Sequence, residues 1–315
     1  MDMVNERSIK AVFEGSLKLT PGESCLIVTD TGRESIGRSF YEYASKISDR
    51  TELMVIDPLP EHGCEPPAHV AGKMLDFDVE LLITESSLTH TRARIKACEK
   101  GARIATMPMI TETIANRCLD IDYDALRAVS RDLYGRIKGA GIIKVVTDIG
   151  TDMEFVIGES LFFGVNGGSY HAPGAYGNLP EGELAFAPET CKGVYLVDAS
   201  MPGMGLLRSP MRITVENGRA VKIEGEKADE LKARLDKAGS GAYVIAELGI
   251  GLNPKAEITG NVLEDEKVMG TVHIALGNNL SFGRDNDVPL HLDGVIKGPD
   301  ISVDGEKIMA AGRFI

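Results

Sequence analysis

Apolar runs alternate with amphipathic stretches through the first 140 residues. Cys25-Leu-Ile-Val-Thr-Asp30, Glu52-Leu-Met-Val-Ile-Asp57, Glu80-Leu-Leu-Ile-Thr84 and Ala102-Arg-Ile-Ala-Thr-Met107 have the length and composition of buried strands. Helical periodicity fills the intervals over 34–47, 90–101, 113–118 and 123–138. A Pro-rich loop holds Pro58, Pro60, Pro66 and Pro67. Strands that alternate with helices predict a mainly parallel, open α/β sheet.

The remainder carries a different pattern. Short strands are expected at 142–147 and 153–157, followed by a Gly- and Tyr-containing loop over 164–177. Asn217-Gly218 and Asp304-Gly305 each lie between two apolar runs, the pairing expected of β-hairpins. One amphipathic helix is expected over 227–237, with Leu231 and Leu235 on its apolar face. This half reads as a β-rich α+β domain, and the boundary is expected near Gly139–Gly141. The chain then divides into an α/β domain, 1–140, and a β-rich domain, 141–315.

Composition narrows the function classes. The net charge of −13 repels phosphate backbones, so a nucleic-acid partner is not expected. The chain has no apolar run long enough to span a membrane, and 1–7 has no basic-then-apolar leader. The expected compartment is therefore the cytoplasm. Five scattered cysteines without a Cys-x-x-Cys pair exclude a zinc ribbon and a thioredoxin-type motif. The α/β half contains neither the Walker phosphate loop nor a Gly-x-Gly-x-x-Gly after its first strand, and no Gly-x-Ser-x-Gly elbow. The turn Thr29–Arg33 before a helix is at most a weak anion site.

What chemistry remains is concentrated in the second half. Glu183, Glu247, His273, His291 and Asp293 each sit in a short strand-like or turn-like segment. Carboxylates and imidazoles together can hold one or two divalent first-row ions. His291 and Asp293 are two residues apart, so on a strand both point to one face. Glu247 ends the apolar run 243–246, where a carboxylate needs a partner. Tyr170, His171 and Tyr176 in the Gly-rich loop, and His90 after the third strand, are candidates to touch substrate.

These segments resemble a known family. Asn178-Leu-Pro-Glu-Gly-Glu-Leu-Ala-Phe-Ala-Pro188, Glu247-Leu-Gly-Ile-Gly251, His273-Ile-Ala-Leu-Gly277 and His291-Leu-Asp293 are similar to the ligand segments of the aminopeptidase T metallopeptidases. That resemblance implies an N-terminal α/β domain, a C-terminal metal domain and a homodimer. It also implies a metal-dependent hydrolase that removes N-terminal residues from small peptides. Two ions (Zn, Co, Mn or Mg) would be held by the five residues, with Glu247 as bridge or general base. The peptidases carry a tyrosine seven residues after the first site histidine; here that position is Leu280.

A second resemblance is to the dihydroxypyridine ring-cleaving dioxygenases, through Gly251-Leu-Asn-Pro254 and His291-Leu-Asp293. It implies one Fe(II) held by two histidines and a carboxylate, here His273, His291 and Asp293, and a small-molecule substrate. The first histidine of those enzymes falls at Glu247. The two glutamates favour the peptidase alternative at this level of reading.

Overall fold

The sheet of the first unit is parallel throughout, as strand–helix alternation requires. A computed structural model describes residues 4–315. Its strand order is Thr51–Ile56, Cys25–Asp30, Val79–Ile83, Arg103–Thr106, Tyr176–Asn178. Leu26, Val28, Leu82 and Ile104 share a face and pack on Val70, Met74, Ala93 and Ala97. Burial of each large apolar side chain there contributes about 1.5–3 kcal/mol. The helix Glu34–Ile47 buries Ile36, Phe40 and Ala44 at helical spacing. Thr91 and Thr111 cap the helices Arg92–Glu99 and Glu112–Cys118, each accepting a backbone N–H through its hydroxyl.

The chain forms two compact units, and its path between them is less simple than one cut near residue 140. One unit ends at Arg127 and takes back Asn166–Glu181; the other comprises Ala128–Val165 and Gly182–Ile315. Part of the Gly-rich loop therefore belongs to the α/β unit, where Tyr176–Asn178 pairs with Arg103–Thr106 as a fifth parallel strand. Three residues are too few to show a periodicity, so this strand is invisible in the pattern of the sequence.

Antiparallel sheets dominate the second unit. An eight-stranded sheet contains both expected hairpins, Met211–Glu216 with Arg219–Gly225 and Asp300–Val303 with Glu306–Ala310. A five-stranded sheet has the order His291–Lys297, Thr271–Gly277, Ile245–Gly251, Glu183–Phe186, Phe162–Phe163. One of its faces is apolar, with Leu248, Ile250, Val272, Ile274 and Ile296 buried. Gly294 lies on that face, and a Cβ there would come within 2.6 Å of Val197. No helix among the described residues is long and apolar enough to cross a membrane.

Candidate metal centre

All five expected ligands occupy one face of the five-stranded sheet. The register explains this. Glu247 stands opposite Ala275, which stands opposite Asp293, so the two carboxylates flank an alanine in one row. His273 and His291 lie two residues before Ala275 and Asp293 and share their face. Glu183 stands opposite Gly251, four residues after Glu247, on the same side. A register shift between Ile245 and Glu247 is part of the design. Had the Ile245–Leu276 pairing continued evenly, Glu247 would stand opposite Ile274 and face the apolar side.

Small residues clear the floor of the site. A Cβ on Gly249 would lie 1.9 Å from His273 Nε2. Only a residue without a side chain lets the imidazole lie across this strand and reach Glu247. Gly251 is equally confined, since a Cβ there would meet Val268 O at 2.0 Å.

Glu247 links the two histidines. Its Oε1 lies 3.1 Å from His273 Nε2 and its Oε2 2.9 Å from His291 Nε2. Asp293 Oδ1 is 3.2 Å from His291 Nε2, and Glu183 Oε2 is 3.3 Å from His273 Nε2. His273 is fully buried, whereas the His291 side chain is 31% exposed. On the far side of its ring, His291 Nδ1 lies 2.7 Å from Asn278 O. A proton on Nδ1 donated to that carbonyl leaves the Nε2 lone pair directed at the carboxylates, the arrangement common to metal-bound histidines. Phe282 stacks on His291 with centroids 6.4 Å apart, and Phe163 meets Phe282 edge-on at 4.8 Å.

Electrostatics calls for a cation here. Burial alone would lower the His273 pKa, but the hydrogen bond it donates to Glu247 and the charges of Glu247, Glu183 and Asp293 outweigh this and raise the pKa to about 9. Burial opposes protonation of His291 too, yet the Asp293 and Glu247 carboxylates hold its pKa well above the usual value. Burial would push Glu247 up, and the two histidines more than reverse this, holding it below the ordinary carboxylate range. Protons on the imidazoles thus neutralise the carboxylates when no metal does.

Among the described residues, two groups of donors have the spacing of a metal site: Glu183–Glu247–His273 and Glu247–His291–Asp293, each with ligand atoms within 4.8 Å of one another. The oxygen and imidazole donors suit a divalent first-row ion, whose binding would displace the imidazole protons. The triad expected for a single iron, His273–His291–Asp293, is not one of these groups. Glu247 replaces His273 in it because both of its oxygens lie between the rings.

Sequence reasoning missed Lys267 and Glu266. Lys267 Nζ lies 2.6 Å from Glu183 Oε1 and 2.6 Å from Glu266 Oε1, with its side chain 2% exposed. Burial raises the Glu266 pKa to about 8; Lys267 opposes this while Glu183 and Asp293 add to it. Nothing in the local sequence marks this lysine, because its partner Glu183 is remote along the chain.

The other substrate-contact candidates belong to the first unit. The Tyr170 hydroxyl is placed between Asn178 O, at 2.9 Å, and Glu181 Oε2, at 3.0 Å, and the ring is buried. His171 Nε2 lies 2.7 Å from Gly15 O. Tyr176 is covered by the Arg94 guanidinium, 3.7 Å from its ring centroid. His90 is exposed at the turn before the helix Arg92–Glu99. The turn Thr29–Arg33 is occupied by the protein's own charges: Asp30 Oδ2 accepts the Glu85 N–H at 2.5 Å, and Arg33 pairs with Glu85. A carboxylate at that mouth opposes an anion.

Comparison with known proteins separates the two resemblances. The family model for 2,5-dihydroxypyridine 5,6-dioxygenase (NicX) matches residues 64–315. A 2,5-dihydroxypyridine 5,6-dioxygenase of Pseudomonas putida KT2440 is 24% identical over 253 residues, covering 75% of this chain and 71% of its own. The solved structure of 2,5-dihydroxypyridine dioxygenase from Pseudomonas putida KT2440 superposes with a TM-score of 0.82 at 18% identity, covering 98% of this chain and 96% of that one. Wild-type AmpT from Thermus thermophilus superposes with a TM-score of 0.68, also at 18% identity, covering 98% of each chain. At such identities the two superpositions show a shared fold. The aminopeptidase, protease and hydrolase reading is corrected by the sequence matches, which lie with the dioxygenases. Leu280, where the peptidases carry a tyrosine, is 46% exposed on the short helix Leu280–Phe282 and brings no acid–base group. The chain belongs to the 2,5-dihydroxypyridine 5,6-dioxygenase family.

Proposed function

We propose that this protein is a metal-dependent dioxygenase that opens a hydroxylated, electron-rich ring of the 2,5-dihydroxypyridine kind. The observation that carries the reading is that His291 and Asp293 close a three-donor group with Glu247 inside the span matched by the dioxygenase family. Iron(II) held there would supply the one-electron chemistry by which O₂ reacts with an aromatic ring.

The chain's own residues have separable tasks. Glu247, His291 and Asp293 would hold the ion. Asn278 O fixes the His291 ring by accepting its Nδ1 proton. His273 holds a proton at Nε2 between Glu183 and Glu247 and offsets their charge. The partly open edge at His291, with Phe282 stacked beside it, offers a flat substrate an apolar wall. The group differs from the two-histidine, one-carboxylate triad by one carboxylate, which puts more negative charge around the ion.

The test is O₂ consumption. Protein loaded anaerobically with Fe²⁺ is mixed with 2,5-dihydroxypyridine and a panel of dihydroxylated rings in air-saturated buffer. One O₂ consumed per ring lost is the expected result. No O₂ uptake with any of them, by protein that demonstrably holds iron, would sink the reading. Amino-acid anilides are expected to survive Zn²⁺- or Co²⁺-loaded protein.

A further inference from the structure

Lys267 enters the metal cluster from the segment that follows the helix Val262–Asp265. Its backbone is tied on both sides: its N–H donates to Glu264 O at 2.9 Å and its carbonyl accepts from Asn253 N at 2.7 Å. Its ammonium meets Glu183 Oε1, while the other oxygen of Glu183 faces His273 Nε2. Both oxygens of one donor in the Glu183–Glu247–His273 group are thus already engaged.

We propose that the Lys267 ammonium takes the place of a second metal ion, so that the cluster accepts one divalent ion, at Glu247–His291–Asp293. A divalent ion in the Glu183 group would have to share that carboxylate with an ammonium held at 2.6 Å. Two cations competing for one carboxylate inside a buried cluster repel each other strongly, because little water screens them. Lys267 cannot withdraw to solvent at low cost, since its side chain is 2% exposed and lysines are buried to this degree only when paired. Moving it away would also strip Glu183 of its counter-charge. Two features set the other group apart: the orientation of its histidine is fixed by Asn278, and it is open at His291. The lysine thus decides how many ions a five-ligand face can hold, which the ligand residues alone leave open.

The experiment is a metal count with a spectroscopic check. Wild type, Lys267→Met and Lys267→Arg are saturated with Mn²⁺, freed of excess ion and analysed by elemental mass spectrometry and electron paramagnetic resonance. Wild type and Lys267→Arg are expected to hold one ion per chain, with the spectrum of an isolated Mn²⁺. Lys267→Met, which removes the charge and keeps the apolar stem, is expected to hold two, with the spectrum of a coupled pair. Two ions in wild type would overturn the proposal by itself, without recourse to any variant. One ion in folded Lys267→Met would overturn it as well. Anomalous scattering from Mn²⁺-soaked wild-type crystals gives the position: a peak beside Glu183 contradicts the assignment, and a single peak beside His291 and Asp293 supports it. The count does not involve O₂ uptake, so its failure is distinguishable from failure of the dioxygenase reading on which the choice of site rests.

Discussion

Gly249 stands directly opposite His273 across the antiparallel ladder, and the imidazole occupies the space where a Cβ at 249 would lie, 1.9 Å from Nε2. The close approach is what lets a histidine on one strand reach Glu247 on the next. Replacing Gly249 by alanine must push the ring aside or part the strands. We expect Gly249→Ala to lose about 1–3 kcal/mol of stability from overpacking and to disturb metal binding, both measurable by urea unfolding and metal titration. Wild-type stability and affinity in this variant would refute the packing described.

Glu247 occupies the position where the dioxygenases' first histidine was expected. Glu247→Ala leaves His291 and Asp293 alone and should weaken metal binding by more than about 100-fold, beyond the cost of losing an outer partner. Glu247→His restores a two-histidine, one-carboxylate set and should keep affinity within about 10-fold of wild type, again on the scale of outer-shell changes. Isothermal titration with Mn²⁺ or Fe²⁺ under argon makes the comparison. Equal losses in both variants would show that Glu247 acts through His273 rather than on the ion.

Metal binding should be strongly pH-dependent. The ion-free cluster carries protons on His273, whose pKa is about 9, and on His291, whose pKa is also raised. An incoming ion displaces at least the proton on His291, so affinity should rise about tenfold per pH unit per proton released between pH 6.5 and 8.5. Titrations in buffers of different ionisation enthalpy count those protons. The same shifts stabilise the ion-free fold: their contribution is complete below the unfolded histidine value near 6.5 and disappears as pH rises through about 9. A pH-independent affinity would mean that the imidazoles are neutral without metal.

Glu80 presents a separate test in the first unit. It is fully buried among Leu26, Leu82 and Ile104, and neither carboxylate oxygen has a hydrogen-bond partner. Burial raises its pKa well above the usual carboxylate value. A raised carboxyl stays protonated in the native state while the unfolded chain ionises. Its contribution to stability is therefore full below pH 4.5 and falls as pH rises toward the native pKa. Glu80→Gln should remove that slope and raise stability at pH 8 by at least about 1 kcal/mol, since one pKa unit is worth 1.36 kcal/mol. Urea denaturation of both proteins at pH 5 and pH 8 reads this directly; parallel pH profiles would count against it.

The division of the chain into a parallel α/β part and an antiparallel part was legible from hydrophobic periodicity. So were the strand Cys25–Asp30 and the helix Glu34–Ile47, whose bounds coincide with the pattern. Such elements announce themselves because side-chain burial repeats every 2 or 3.6 residues along one segment. The five candidate residues were legible by chemistry, since carboxylates and histidines in apolar surroundings need partners. The preference between peptidase and dioxygenase was not, because the ligand segments fit both and the decisive likeness is spread over residues 64–315.

Tertiary structure decided how those residues act together. The shift between Ile245 and Glu247 turns the glutamate to the ligand face, and Gly249 admits the histidine. The three-residue strand Tyr176–Asn178 joins the parallel sheet through pairing with Arg103–Thr106, a partner far away in sequence. Lys267 reaches Glu183 in the same way, across strands rather than along them. Local sequence carries periodicity and donor chemistry; register and long-range charge pairing exist only once the strands have met.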